Sequence, residues 1–272
     1  MTDKHWSLDD IPWDRFDPSK LDDDLIKLVK AASMVEYNGG DYAAYLCNVF
    51  ADDAEVQGAA RAWAAEEVQH GAALGRWAAL ADPGFDFASS FKRFTEGYSL
   101  PLNATASVRG SRAGELVARC VVEVGTSSYY SALAAVSAEP LLTAICRRVA
   151  ADEFRHYKLF YKHLKRYLEI ERFSRLGRIR VALGRIGESE DDELAYAYYA
   201  ANGGPDEPYE RKRWSRAYTA RAFSYYRPVH IERGIAMTFK AVGLTPRGRL
   251  ARLTSRGAYR LMQSRQRRAA RS

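Results

Sequence analysis

Apolar residues recur along most of this chain at the three-to-four-residue spacing of an amphipathic helix, and almost nowhere at the two-residue spacing of a strand. The first run covers about Ser19 to Phe50, with Leu25, Val29, Ala32, Glu36, Ala43 and Cys47 facing inward. The second covers Asp53 to Ala81, with Asp52 or Asp53 as its cap and Pro83-Gly84 ending it. The third covers Ala113 to Ser137. The fourth runs from Glu139 to Ile170, with Pro140 tolerated in its first turn. A more basic helix is predicted over 171–187, an acidic and then Tyr-rich stretch over 188–201, and a boundary at Asn202-Gly203-Gly204-Pro205. Tyr209 to Leu244 reads as one helix interrupted before Pro228, and Pro246 to Ser272 as a basic amphipathic helix. Residues 1–18 read as an irregular arm across the bundle, and residues 83–111 as a long crossover. The predicted fold is all-α. A four-helix bundle spans 19–170, with one long crossover, followed by a helical C-terminal extension over 171–272.

Within that pattern, a few polar residues stand where apolar ones belong. Trp63, Glu67, His70, Leu74 and Trp77 share one helical stripe, and Val149, Glu153, His156, Phe160 and Leu164 share another. Each stripe carries Glu-x-x-His, a spacing that aims an oxygen and a nitrogen at one point. Each pair is preceded by an isolated carboxylate, Glu36 or Glu123, roughly 30 residues upstream, which is half a helix, a turn and half an antiparallel helix. Two such hairpins face to face bring together four carboxylates and two imidazoles, the ligand set of a di-iron or di-manganese bundle. Charged groups in an apolar stripe are rarely buried without a partner, and a metal pair satisfies all six. Carboxylates and imidazoles suit Fe or Mn, and the lack of thiolates argues against structural zinc. Glu66 also lies within reach of His70, but the repeat aligns Asp152-Glu153 with Glu66-Glu67 and so selects Glu67. Glu115 reads as a first-turn acid. Gly39-Gly40, one turn after Glu36, marks either close helix packing or a local opening beside the metals. Tyr37, Tyr129 and Tyr130 read as core aromatics.

Composition adds limits. Apolar content of 47% and charged content of 28% are those of a globular protein, and Cys47, Cys120 and Cys146 show no C-x-x-C spacing. They are expected to be reduced residues of a cytoplasmic protein. No signal peptide is read at the N-terminus, and Leu116 to Val136 carries Arg119 and Glu123, so a buried helix is expected there rather than a membrane span. The net charge of +7 is uneven: residues 209–272 hold 17 Lys/Arg against Glu210 and Glu232, and residues 1–208 hold 24 against 32 acids. The basic quarter suits an acidic carrier protein or an anionic membrane surface, which adds a membrane-peripheral location to the expectation. No nucleic-acid motif accompanies it.

The segment Arg61-Ala62-Trp63-Ala64-Ala65-Glu66-Glu67-Val68-Gln69-His70-Gly71 resembles the second metal helix of the soluble acyl-carrier-protein desaturases. Val149 to His156 is similar to their fourth, and Glu123-Val124-Gly125-Thr126 to their third. The resemblance covers roughly residues 20–170. It implies a ferritin-like bundle in which Glu36, Glu67, His70, Glu123, Glu153 and His156 bind two irons. It further implies that Thr126 lies beside the oxygen site, that Asp152 orients a ligand histidine, and that Trp6 or Trp13 matches an N-terminal tryptophan. The implied activity is O2-dependent oxidation of an acyl or lipid-like chain, with an external donor such as ferredoxin and acyl carrier protein as carrier. A homodimer is the expected assembly. The chain departs from the family after Ile170, in its shorter length, and at Gln69, where the second motif has Arg155. A ferritin-like iron-oxidising or peroxide-scavenging protein uses the same ligands, although no rubredoxin-like module accompanies them here. A non-catalytic scaffold fits poorly with six intact ligands.

Overall fold

The computed structural model describes residues 5–188, 192–204 and 206–271. Every regular element among them is helical. The chain forms α1 (Asp23–Tyr37), α2 (Gly39–Val49), α3 (Ala54–Ala81), α4 (Phe87–Gly97), α5 (Arg112–Val136) and α6 (Pro140–Glu171). It continues through α7 (Arg175–Glu188), α8 (Asp192–Asn202), α9 (Arg211–Ala222), α10 (Pro228–Val242) and α11 (Arg249–Arg271). Side-chain caps fix the main starts. Asp22 accepts from Leu25 N, Asp53 from Val56 N and Ser111 from Gly114 N, each satisfying an orphan donor of the first turn.

Two hairpins make the centre: α1 and α2 against α3, and α5 against α6, with α3 also packing on α6. Trp77, Leu74, Phe94, Leu133 and Leu141 are fully buried between them. Later helices share this core. Tyr198 of α8 and Trp214 of α9 join the cluster around Trp77, while Met237 and Val242 of α10 join the one around Trp63 and Phe160. Cys120 and Cys146 are buried, and Cys47 is half-buried.

The helix read from Ser19 to Phe50 is in fact two. Its first residues form a 3-10 turn over Pro18–Lys20, and the chain breaks at Asn38. The cause is close approach. A Cβ on Gly39 would stand 2.6 Å from Glu67 Cβ, and one on Gly71 would stand 2.4 Å from Tyr37 N. Gly40, by contrast, faces open space. Gly39, with Gly71 on the facing helix, therefore serves packing and lets the α1–α2 junction lie against α3. The crossover contains α4, which periodicity over 83–111 did not single out. The run from Tyr209 to Leu244 is likewise divided. A 3-10 turn at Phe223–Tyr225 separates α9 from α10, and Pro228 begins α10. Of the boundary at 202–205, Pro205 lies outside the described residues, as do residues 189–191 of the acidic stretch.

Glu139 ties three parts together. Its buried carboxylate accepts from Leu141 N and Leu142 N, from Trp77 Nε1 at 2.8 Å and from Asp17 N at 3.1 Å. Glu139→Ala removes a helix cap and orphans a buried indole N–H. A loss of about 2–3 kcal/mol in urea unfolding is expected. A loss below about 0.5 kcal/mol would show that this junction is not structural.

Candidate metal centre

The residues that break the apolar stripes converge. Glu36 comes from the last turn of α1, Glu67 and His70 from α3, Glu123 from α5, and Glu153 and His156 from α6. None exceeds 7% exposure. Glu36, Glu67, His70 and Glu153 present ligand atoms all within 4.8 Å of one another, and so do Glu67, Glu123, Glu153 and His156. Two buried groups that could hold a metal ion therefore share Glu67 and Glu153.

The distances are those of converging donors. His70 Nδ1 lies 3.1 Å from Glu153 Oε1 and 3.5 Å from Glu36 Oε2. His156 Nδ1 lies 2.9 Å from Glu67 Oε1 and 3.6 Å from Glu123 Oε2. Despite this proximity, each of the six residues keeps a buried polar atom without a hydrogen bond. The atoms are Glu36 Oε2, Glu67 Oε1, His70 Nδ1, Glu123 Oε1, Glu153 Oε1 and His156 Nδ1. Buried polar atoms are ordinarily satisfied, so six orphans aimed at one volume fit cations. Four carboxylates balance two divalent ions, which removes the cost of burying like charges together.

The electrostatics carry the same strain. Burial pushes Glu67 well above the usual carboxylate range, and the Glu153 and Glu36 charges add to it. Burial also pushes Glu123 up to about 8, with Glu153 adding and His156 opposing. Burial works against the charge of Glu153 as well, but the two imidazoles hold it low. Both histidines are raised. Burial opposes this and the surrounding carboxylates outweigh it.

The outer contacts repeat about the same pseudo-symmetry. His70 Nε2 lies 3.0 Å from Asp152 Oδ2, and His156 Nε2 lies 3.2 Å from Glu66 Oε2. Each motif's first acid thus holds the other motif's imidazole and leaves Nδ1 facing the centre. Asp152 contacts a histidine of the cluster, as the desaturase resemblance implied. Glu66 was not assigned that role, although its alignment with Asp152 was the available signal. Arg155 links the two, donating to Glu66 Oε2 at 2.8 Å and pairing with Asp152.

Trp6 is the arm residue at the centre. Its Nε1 donates to Asp152 Oδ2 at 2.7 Å, its ring stacks on His70, and Gln69 donates to its carbonyl. Trp13 instead packs on Arg76 and donates to Leu8 O. Thr126 Oγ1 donates to Glu153 Oε2 at 2.6 Å. Tyr130, read as a core aromatic, is buried and also donates to Glu36 Oε1 at 2.6 Å. Tyr129 packs against Tyr130, while Tyr37 packs on Phe87 and Phe91. Glu115 stays outside both groups and accepts from Tyr45 and Ser107. Glu193 of α8, which no motif flagged, accepts from Tyr42. Burial first, and then the Glu36 charge, push it up to about 8.

A pH dependence follows. A carboxylate raised by burial must lose its proton to bind a cation. Metal affinity should therefore rise as pH climbs towards 8 through the range where Glu123 titrates, and binding at pH 6 should release more protons than binding at pH 9. Calorimetry in buffers of different ionisation enthalpy reads this directly. No proton release at pH 6 would contradict it.

No family model matches this chain, and no curated protein matches it, so the donor geometry itself is the basis for assigning the site.

Proposed function

We propose that the chain is a ferritin-like di-metal carboxylate oxidoreductase, O2-dependent, with iron as the expected metal and an acyl or lipid-like chain as substrate. One observation carries this reading: two buried donor groups share Glu67 and Glu153, and every member has an unsatisfied atom. The ferritin-like bundle is supported by the two hairpins, α1–α2/α3 and α5/α6, joined by the connection that holds α4. The acyl substrate class rests on the likeness of the two Glu-x-x-His helices to those of the desaturases.

Glu36 and His70 would complete one metal position, and Glu123 and His156 the other. When bound, the two ions would supply O2 activation and electron transfer. The protein's own part is positioning. Asp152 and Glu66 hold the Nε2 side of the imidazoles, so Nδ1 would offer its lone pair to a metal once its proton is displaced. Thr126 holds a proton at Oγ1 against Glu153, and Tyr130 holds one against Glu36. Trp6 and Trp63 pack on the histidine rings and exclude water.

Anaerobic loading with Fe(II), followed by O2, a ferredoxin-type reductant and acyl chains on a carrier protein, tests the reading. Oxidised acyl product formed in step with reductant consumption is expected. Rapid iron oxidation with no acyl product would instead indicate an iron-handling protein and overturn the acyl assignment.

A further inference from the structure

A groove of about 1330 Å3 lies between α5, α6, α10 and α11. Its cations come from three sides: Arg147 and Lys158 on α6, Arg233 and Lys240 on α10, and Arg247 just before and Arg252 within the first turn of α11. Arg155 also reaches it, and Glu232 is the single acid in its lining. Among the described residues, the side chains of Arg147, Arg233, Arg247 and Arg252 have no hydrogen-bond or ion-pair partner. The floor is apolar and small, with Ala134, Ala150, Ala151 and Ala236 between Phe154 and Met237. Charges gathered around one concavity repel each other unless an anion lies among them, and guanidinium forks match phosphate oxygens. An apolar floor adds the requirement for an apolar body.

The groove is not the metal centre. At 100° per residue, Ala151, Phe154 and Lys158 lie on the side of α6 turned away from Glu153 and His156. The body of α6 therefore stands between these groove residues and the metal centre. The groove is recessed between helices on both walls, which suits one molecule entering it rather than a flat bilayer pressing on it.

We infer that this groove is a second binding site, which takes a single amphiphile with a phosphate-bearing head and an acyl tail. The head lies among Arg147, Arg233, Arg247 and Arg252, and the tail runs along the alanine floor. The inference does not depend on which metal, if any, the other site holds.

The test uses the full chain, with and without added Fe(II). Binding of dodecyl phosphate below its micelle concentration is compared with inorganic phosphate, an uncharged dodecyl glycoside and phosphatidylglycerol vesicles. Saturable binding of one dodecyl phosphate per chain is expected, at least about tenfold tighter than either half alone, and weakened by salt. Arg233→Ala with Arg252→Ala should weaken it at least about tenfold, as should Ala236→Trp, which fills the floor. Arg155 is left unchanged because it contacts Glu66 and Asp152. Circular dichroism checks that the variants keep their helix content, and the wild-type comparison stands even if one does not fold. Three results would overturn the inference: wild-type affinity in the folded variants, no gain of dodecyl phosphate over inorganic phosphate, or binding to vesicles alone.

Discussion

Alanine at Glu153 is expected to empty both metal positions, whereas alanine at Glu36 is expected to empty one. The difference follows from membership. Glu153 and Glu67 belong to both donor groups, and Glu36 and Glu123 to one each. Removing a shared carboxylate takes a ligand and a negative charge from each ion. Removing an unshared one leaves Glu67, Glu123, Glu153 and His156 as a complete quartet. Metal analysis after anaerobic loading and desalting should read near two ions per chain for the wild type, near one for Glu36→Ala and near zero for Glu153→Ala. Equal losses in the two variants would sink the shared-ligand arrangement.

The metal-free protein should respond in the opposite sense. Glu123 has a folded pKa of about 8, against an ordinary 4.5, because burial disfavours its charge. Between those values the folded state binds a proton that the unfolded chain does not, so stability falls as pH rises from about 4.5 to 8. At pH 7 the cost is on the order of 3 kcal/mol. Glu123→Gln keeps the shape without the titration and should stabilise the metal-free fold by about that amount while weakening metal binding. A variant that is both less stable without metal and unchanged in metal content would contradict this.

The second large effect is expected at Gly71. A Cβ there would meet Tyr37 N at 2.4 Å and Tyr37 Cα at 2.6 Å, and backbone cannot move aside as a flexible side chain can. Gly71→Val would wedge α3 away from the end of α1, one residue from both Glu36 and His70. A loss of more than about 3 kcal/mol is expected, together with loss of the ion held by those two ligands. Gly40→Ala, facing open space, serves as the control and should leave both readouts unchanged or slightly improved. Near-wild-type unfolding of Gly71→Val would mean that the junction tolerates separation.

These two sites also separate what local pattern reveals from what it hides. The helices over 53–81, 113–137 and 139–170 were legible within a residue or so, because their caps and apolar periods are local properties. The convergence of the six donor side chains was legible for the same reason, since a doubled Glu-x-x-His motif is a statement about spacing along one helix. The break at Asn38 was not, because Gly39 and Gly71 answer to a neighbouring helix rather than to their own. Trp6 was ambiguous with Trp13 because its partner, Asp152, lies far along the chain. Glu66 was half-visible: the repeat aligned it with Asp152, but its contact with His156 crosses from α3 to α6. The C-terminal charge was plain in the sequence, while the groove it lines required α10 and α11 to be packed against α5 and α6.

The most direct measurement is an anomalous-diffraction map of crystals grown with Fe(II) under anaerobic conditions. Two adjacent peaks are expected, with Glu67 and Glu153 touching both, His70 Nδ1 and Glu36 on one, and His156 Nδ1 and Glu123 on the other. A map with no iron among these six side chains, or with iron bound elsewhere while both Nδ1 atoms stay free, would contradict the account.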